Sequence, residues 1–91
     1  MKSIHTDAYK TLLRHLIDAR KSCGMTQTML ATKLHKPQSF VSKFENAERR
    51  LDVLEFLRIC RLLGVDLNTI TAVLQDDYTP VAITTQLTNP Q

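Results

Sequence analysis

Tryptophan is absent from this sequence of 91 residues, which has two glycines, three prolines and 5% aromatic residues. So little Gly and Pro disfavours a turn-rich β fold and favours helices joined by short turns. The two cysteines, Cys23 and Cys60, are too few for a disulfide framework and lack the spacing of a metal site. No apolar run approaches membrane-spanning length, and no apolar signal segment begins the chain. We therefore expect a cytoplasmic protein with no metal, no cofactor and no membrane partner.

Hydrophobic residues make up 43% of the chain, which is enough for a real core. The length suits one domain. A domain this small buries a modest core and is often stabilised by oligomerisation. Because Asp76-Asp77 and Pro80 stop helical order, we expect a domain over residues 1–76 and a tail over residues 77–91. The β-branched residues of that tail fit either an added strand, which could serve as a dimer arm, or a loose terminus.

The net charge of +3 is unevenly distributed along the chain. Residues 1–50 hold ten Lys and Arg against four Asp and Glu, whereas residues 51–91 hold two against five. The first part could therefore meet a polyanion while the second faces away or meets protein. A solvated surface with uneven charge explains the asymmetry equally well.

Hydrophobic periodicity and capping residues predict an all-α bundle of five helices. Thr6 or Asp7 can cap the first helix, Thr26 the second, and Pro37 suits the start of the third. Gly24 suits the left-handed residue that ends the first helix, and Gly64 closes the fourth. The predicted helices run from Asp7 to Ser22, from after Met25 to the break at His35, from Gln38 to Glu45, from Asp52 to Gly64 and from Asp66 to Gln75.

The fourth helix carries the strongest local signals. Asp52 followed by Glu55 is a capping box, and Leu51 with Phe56 would form a hydrophobic staple. Its predicted inner face consists of Val53, Phe56, Leu57, Cys60 and Leu63. Cys60 is accordingly interpreted as a small core residue.

The second and third helices form the most informative pair, because two short helices joined by a tight turn are typical of a helix-turn-helix. The run from Arg20 to Ala31 resembles the opening of this motif in the Cro/repressor-type (Xre-like) family. The run Pro37 to Asn46 resembles its recognition helix, and Leu62 to Val65 resembles the end of its fourth helix. The resemblance covers roughly residues 12–67 and implies a lambda-repressor-like DNA-binding domain. Two positions depart from the family: Ala47 replaces the usual Gly, and Lys36 stands where an apolar residue is usual.

The resemblance implies a DNA-binding surface on the third helix and its flanks. In such motifs the start of the second helix of the pair reaches base edges in the major groove, while surrounding residues contact the backbone. Gln38 suits this role because its amide can pair with the acceptor and donor of adenine, and Lys43 suits guanine or a phosphate. Without the resemblance, the same face would be interpreted as a solvated polar surface. The implied base contacts are Gln38, Ser39, Ser42 and Lys43; the implied phosphate contacts are Gln27, Lys36, Arg49 and Arg50.

Two residues near this surface have other expected roles. The resemblance implies that Glu45 pairs with Arg20 and locks the helices together, since an acid beside DNA is electrostatically unfavourable. Phe40 could touch a thymine methyl group, but an aromatic residue here is more often packed against a neighbouring helix.

Dimerisation is expected because one helix-turn-helix covers only a few base pairs. We expect a two-fold interface around the fifth helix, although the same residues could instead complete a monomer core. The predicted interface residues are Leu54, Leu62, Ile70, Val73 and Leu74.

The function favoured by these observations is a transcription regulator, with repression as the expected activity, that binds an inverted repeat in double-stranded DNA as a homodimer. The implied origin is bacterial or phage, with the protein at the nucleoid. An enzyme is not expected, because the sequence has no metal-ligand pattern, Gly-rich phosphate loop or nucleophile motif. The alternative is an antitoxin-like protein that binds a partner toxin as well as its own promoter, since the same fold serves such proteins.

Overall fold

A computed structural model describes residues 6–74, which form five α-helices connected by short turns. The predicted all-α architecture is confirmed, and the helix ends agree with the sequence-based prediction within about one residue. The predicted tail over residues 77–91 lies outside the described residues. The helices are α1 (Asp7–Ser22), α2 (Gln27–Leu34), α3 (Gln38–Glu45), α4 (Val53–Leu63) and α5 (Leu67–Leu74).

Side-chain caps fix the starts of four of the five described helices, all except α3. At α5 the Asp66 carboxylate accepts a hydrogen bond from the Asn68 N–H at 3.0 Å. The Thr6 hydroxyl accepts a hydrogen bond from the Tyr9 N–H at 3.2 Å, and the Thr26 hydroxyl accepts one from the Met29 N–H at 3.1 Å. At α4 the predicted capping box is present. The Asp52 carboxylate accepts from the Glu55 N–H at 2.8 Å, and the Glu55 carboxylate accepts from the Asp52 N–H at 3.0 Å. These bonds satisfy N–H groups that have no partner within the helix.

Within residues 6–74, four residues have a backbone in the left-handed region and turn the chain. Gly24 (φ 70°) and Gly64 (φ 71°) follow α1 and α4, where the sequence predicts them. His35 (φ 59°) ends α2, and Ala47 (φ 60°) follows α3. Ala47 stands where the resembling family has Gly, and its positive φ accounts for that preference, because only Gly adopts this region without steric strain.

The core lies where α1 packs against α3, α4 and α5, and where α2 packs against α3 and α4. Its largest fully buried side chains are Leu16, Leu30, Val41, Phe44 and Ile59. Cys60 is also buried, as predicted, and burial raises the pKa of its thiol. Helices α2 and α3 therefore both pack against the same hydrophobic core.

The predicted inner face of α4 is partly wrong. Val53 is 70% exposed and Leu57 is 40% exposed, whereas Ile59, which the predicted stripe omits, is fully buried. The buried stripe is therefore rotated about the helix axis relative to the predicted one, and it consists of Ile59, Cys60 and Leu63 with Phe56 half-buried beside them. Periodicity alone does not separate two adjacent apolar stripes on a helix that is apolar around much of its circumference.

The prediction that Ile70 contributes to a dimer surface is also corrected by the structure. Its side chain is only 6% exposed and so lies in the interior of the chain itself. α5 packs against α1, and Ile70 is its buried residue. An interface around α5 therefore cannot use this side chain as an exposed contact.

Candidate nucleic-acid interface

Helices α2 and α3 are connected by a three-residue turn that consists of His35, Lys36 and Pro37. His35 takes the left-handed conformation that ends α2, and Pro37 has the extended conformation of a residue preceding a helix. The turn brings the two helices into contact, with Leu30 and Val41 buried between them and the rest of the core.

The outer side of α3 is polar, because its inner side is occupied by Phe40, Val41 and Phe44. All four residues predicted to contact bases lie outside this buried side. Gln38, Ser39 and Lys43 are exposed, and Ser42 is half-buried. The first turn of α3 therefore presents an amide and a hydroxyl to solvent next to each other.

Gln38 does not extend freely into solvent. Its Nε2 donates a hydrogen bond to Oε1 of Gln27 at 2.8 Å, and Nε2 of Gln27 in turn donates to Oε1 of Glu45 at 2.8 Å. Gln38 keeps its own amide oxygen and one N–H available. These are the acceptor and donor that a bidentate contact with adenine requires.

The ion pair between Arg20 and Glu45, which the resemblance implied, is present. Arg20 Nε donates to Oε2 of Glu45 at 2.7 Å, and its Nη2 donates to Oε1 at 3.0 Å. A third donor, Nη1, binds the carbonyl oxygen of Met25 at 2.8 Å. Both side chains are nearly inaccessible, with 9% and 5% of their surface exposed. The end of α1, the start of α2 and the end of α3 are therefore joined at Glu45.

The link from Gln27 to Glu45 is a contact that the sequence analysis missed. The sequence predicts a phosphate contact for Gln27 and an ion pair with Arg20 for Glu45, but the spacing of Gln27 and Glu45 does not indicate that the two side chains touch. The two residues are separated by 18 positions and meet only because α2 and α3 pack together.

The basic residues around α3 lie in different environments. Arg50 is exposed, with its guanidinium carbon 5.4 Å from the centre of the Tyr9 ring. Lys36 is also exposed, with Nζ 5.3 Å from the centre of the Phe40 ring. Arg49 pairs with Glu55 through Nη1 at 2.8 Å and Nη2 at 3.0 Å. Three cationic residues are predicted to contact phosphates, and one of them, Arg49, forms an ion pair with a carboxylate of the same chain.

Phe40 packs inside the molecule and does not face the exterior. It is 8% exposed, and its ring meets Phe44 edge-on with centroids 5.7 Å apart. So little of the ring is exposed that it has almost no surface to offer a thymine methyl group, and Phe40 is instead a packed residue of the chain. Lys36 lies over this ring, which explains how a lysine is accommodated where the family usually has an apolar residue.

The residues predicted for a dimer interface are only partly placed on a surface. Leu54 is 72% exposed and Leu62 is 38% exposed, both on α4. The side chains of Val73 and Leu74 lie outside the described part of the chain. Val53 and Leu57 add to the exposed apolar surface of α4.

A pair of short helices, the second with a polar outer side and held by the first, defines a helix-turn-helix DNA-binding domain. Comparison with protein families leads to the same class: the model of the Helix-turn-helix family matches residues 16–70. The chain is also similar to the solved structure of an XRE-family like protein from Pseudomonas syringae pv. tomato str. DC3000. The two are 51% identical, with a TM-score of 0.72, and the match covers 85% of this chain and 93% of that one. Curated proteins gave no match.

The chain therefore belongs to the Xre-like helix-turn-helix family, and it is a DNA-binding transcription regulator. In the region from residue 6 to residue 74, none of the helices combines the length and the apolar character needed to cross a bilayer.

Proposed function

We propose that this protein is a repressor that binds an inverted-repeat operator as a homodimer, with α3 of each protomer in a major groove. The observation that carries the proposal is the presentation of Gln38. It stands exposed on the first turn of α3, is held by Gln27, and keeps one acceptor and one donor for a base. A side chain already held in place loses less conformational freedom when it binds.

Base reading is assigned to the outer side of α3. Gln38 is proposed to pair with adenine, and Lys43 to contact guanine acceptors or a nearby phosphate. Ser39 and Ser42 can both donate and accept, so they restrict the sequence less. The half-buried position of Ser42 suits a contact at the edge of the groove.

Phosphate contacts are assigned to the flanks of α3. Gln27 lies at the start of α2, where its unused amide N–H and the backbone N–H groups of the first helical turn favour an anion. Lys36 and Arg50 are exposed and add positive charge on either side of α3. Such contacts set affinity and its salt dependence, not base preference.

The homodimer is supported by the apolar surface of α4. Val53 and Leu54 are 70% and 72% exposed, and Leu57 and Leu62 are also exposed. Contiguous apolar surface typically marks a region that another protein covers, and these four exposed side chains all come from the solvent-facing part of α4. A second copy of the chain is the occupant that an inverted-repeat operator requires, because the symmetry of the DNA matches a two-fold dimer.

Selection of bound duplexes from a random DNA pool tests base reading and symmetry together. We expect the recovered sequences to share an inverted repeat with half-sites about one helical turn apart. Gln38→Ala should then change the preference at one position in each half-site. Asn68→Ala removes an exposed amide on α5, away from α3, and should leave the preference unchanged. If both variants recover the wild-type sequence, the assignment of Gln38 is wrong.

The dimer surface needs a separate measurement. Leu54→Asp should shift the protein toward monomer in sedimentation and weaken binding to a two-half-site duplex. Thr11→Asp adds the same charge at an exposed position of α1 and should do neither. A wild-type protein that stays monomeric at high concentration, but forms a stoichiometric complex with another protein through α4, would favour the antitoxin-like alternative.

A further inference from the structure

Arg49 lies between α3 and α4 and is fixed by three hydrogen bonds. Two of them form a fork with the two carboxylate oxygens of Glu55, and the third runs from Nη1 to the carbonyl oxygen of Arg50 at 2.8 Å. Bidentate pairs of this kind combine charge with a fixed geometry. The Arg49 hydrogen bonds lower the pKa of the Glu55 carboxyl group.

The same guanidinium lies over the recognition helix. Its carbon is 4.7 Å from the centre of the Phe40 ring, within the range of a cation–π contact. Phe40 in turn packs edge-on against Phe44, which is fully buried. Arg49 therefore connects the first turn of α3 to the capping box that begins α4.

The first turn of α3 lacks the side-chain support that the other four described helices have. Its preceding residue, Pro37, makes no capping hydrogen bond, whereas α1, α2, α4 and α5 are capped by the side chains of Thr6, Thr26, Asp52 and Asp66. Without a cap, the orientation of this turn depends on the packing of Phe40 and Val41 and on the hydrogen bond from Gln38 to Gln27.

We propose that Arg49 and Glu55 are positioning residues for DNA reading. Their pair holds Phe40, and with it the turn that presents Gln38 and Ser39, in the orientation that reaches the bases. Arg49 then acts through the recognition helix and not as the phosphate anchor that the sequence predicts. This inference rests on the proposed function, because it assumes that the first turn of α3 reads bases.

The two roles of Arg49 differ in their dependence on salt and on DNA sequence. A cation that neutralises a phosphate contributes about −0.9 to the slope of log K against log salt concentration, and it does so on any sequence. The charge of Arg49 is already matched by Glu55, so a positioning role leaves that slope unchanged. If loss of the pair displaces the first turn of α3, binding to the preferred sequence weakens and binding to other sequences does not.

The first test compares Arg49→Gln with Arg50→Gln on two duplexes, the sequence recovered by selection and a scrambled duplex of equal length. Arg49→Gln should weaken binding to the selected duplex by about tenfold, within the range of one good base contact, and should change scrambled binding and the salt slope far less than Arg50→Gln does. Arg50→Gln should weaken both and flatten the slope. If Arg49→Gln behaves like Arg50→Gln, the positioning role is overturned.

Two further variants have opposite expected effects under the two roles. Arg49→Lys keeps the charge but loses the fork, so it should weaken selected binding as Arg49→Gln does, whereas a phosphate contact would tolerate it. Glu55→Gln should also weaken selected binding relative to the control Glu48→Gln, which removes an exposed acid nearby. Tighter binding by Glu55→Gln than by Glu48→Gln would mean that Glu55 merely withholds Arg49 from DNA, and would contradict the proposal.

Amide hydrogen exchange tests the positioning without DNA. In Arg49→Gln, exchange of the Phe40 amide, which donates to the Pro37 carbonyl oxygen, should accelerate relative to the Leu30 amide at the start of α2. Unchanged relative protection would overturn the positioning role even if Gln38→Ala shows that α3 reads bases. Accelerated exchange, combined with no effect of Gln38→Ala on sequence preference, would instead place the failure in the proposed function.

Discussion

The carboxylate of Glu45 and the guanidinium of Arg20 are joined by two hydrogen bonds of 2.7 and 3.0 Å across 25 positions of the chain. Both side chains are almost completely buried, so each charge depends on the other for its stabilisation. Because Gln27 also donates to Glu45, the pair fixes the relative positions of the two helices of the motif.

Replacing Glu45 by Gln should lower the free energy of unfolding by about 3 kcal/mol, because Arg20 would remain buried without a countercharge. Chemical denaturation monitored by circular dichroism measures this change. Glu48→Gln removes an exposed acid three residues later and should change stability by less than about 0.5 kcal/mol. Equal unfolding curves for wild type and Glu45→Gln would show that the pair does not lock the helices.

The rotated inner face of α4 predicts a contrast between two neighbouring residues. Ile59→Ala should cost about 2–5 kcal/mol, because the side chain is fully buried and its removal leaves a cavity. Leu57→Ala should cost under about 1 kcal/mol, since Leu57 is 40% exposed. The sequence-based stripe, which includes Leu57 and omits Ile59, predicts the reverse order, so thermal unfolding of the two variants decides between them.

The Arg49–Glu55 pair should make stability depend on pH in the acid range. The pKa of Glu55 lies below its ordinary value of 4.5 in the folded chain, first because of the hydrogen bonds from Arg49. A depressed pKa stabilises the folded state above the unfolded value, and that stabilisation is lost as pH falls through the folded value. Glu55→Gln should thus be less stable than wild type at pH 7, by up to about 1 kcal/mol because the Arg49 side chain is 40% exposed. The difference should begin to shrink near pH 4.5 and vanish once the pH is below the lowered pKa of Glu55 in the folded chain. A difference that stays constant between pH 7 and pH 3 in urea titrations would contradict this role of the carboxylate.

Ala47 offers a test of backbone strain after α3. Ala47→Gly removes the steric strain of a positive φ, which costs about 1–2 kcal/mol for a residue with a side chain. The same change raises the conformational entropy of the unfolded chain, which lowers stability by about 0.4–1 kcal/mol, and it removes a buried methyl group. These effects offset each other, so stability should change by less than about 1 kcal/mol. Ala47→Val, which is β-branched, should destabilise clearly because such residues rarely adopt this conformation. If thermal unfolding gave the same Tm for Ala47→Gly and Ala47→Val, backbone strain at this position would be unimportant.

Local features of the sequence determined most of the fold. Helix ends follow from short-range chemistry, such as the capping oxygen of Thr26, the capping box of Asp52 and Glu55, and the left-handed glycines, so they can be predicted without knowledge of the packing. The polar outer side of α3 is likewise fixed by its composition, since Val41 and Phe44 leave only one apolar side. The resemblance to the Xre-like family added the pairing of Arg20 with Glu45.

Packing between helices decided the rest. α4 has apolar residues around much of its surface, so only contact with the other helices could determine that Ile59 is buried and that Val53 and Leu57 are exposed. Contact with α1 likewise accompanies the burial of Ile70. The sequence by itself placed Gln38 at the start of a polar helix. The tertiary structure determined that Gln27 holds it and that Arg49 is engaged by Glu55 and Phe40, because those partners come from elements that meet only in the folded chain.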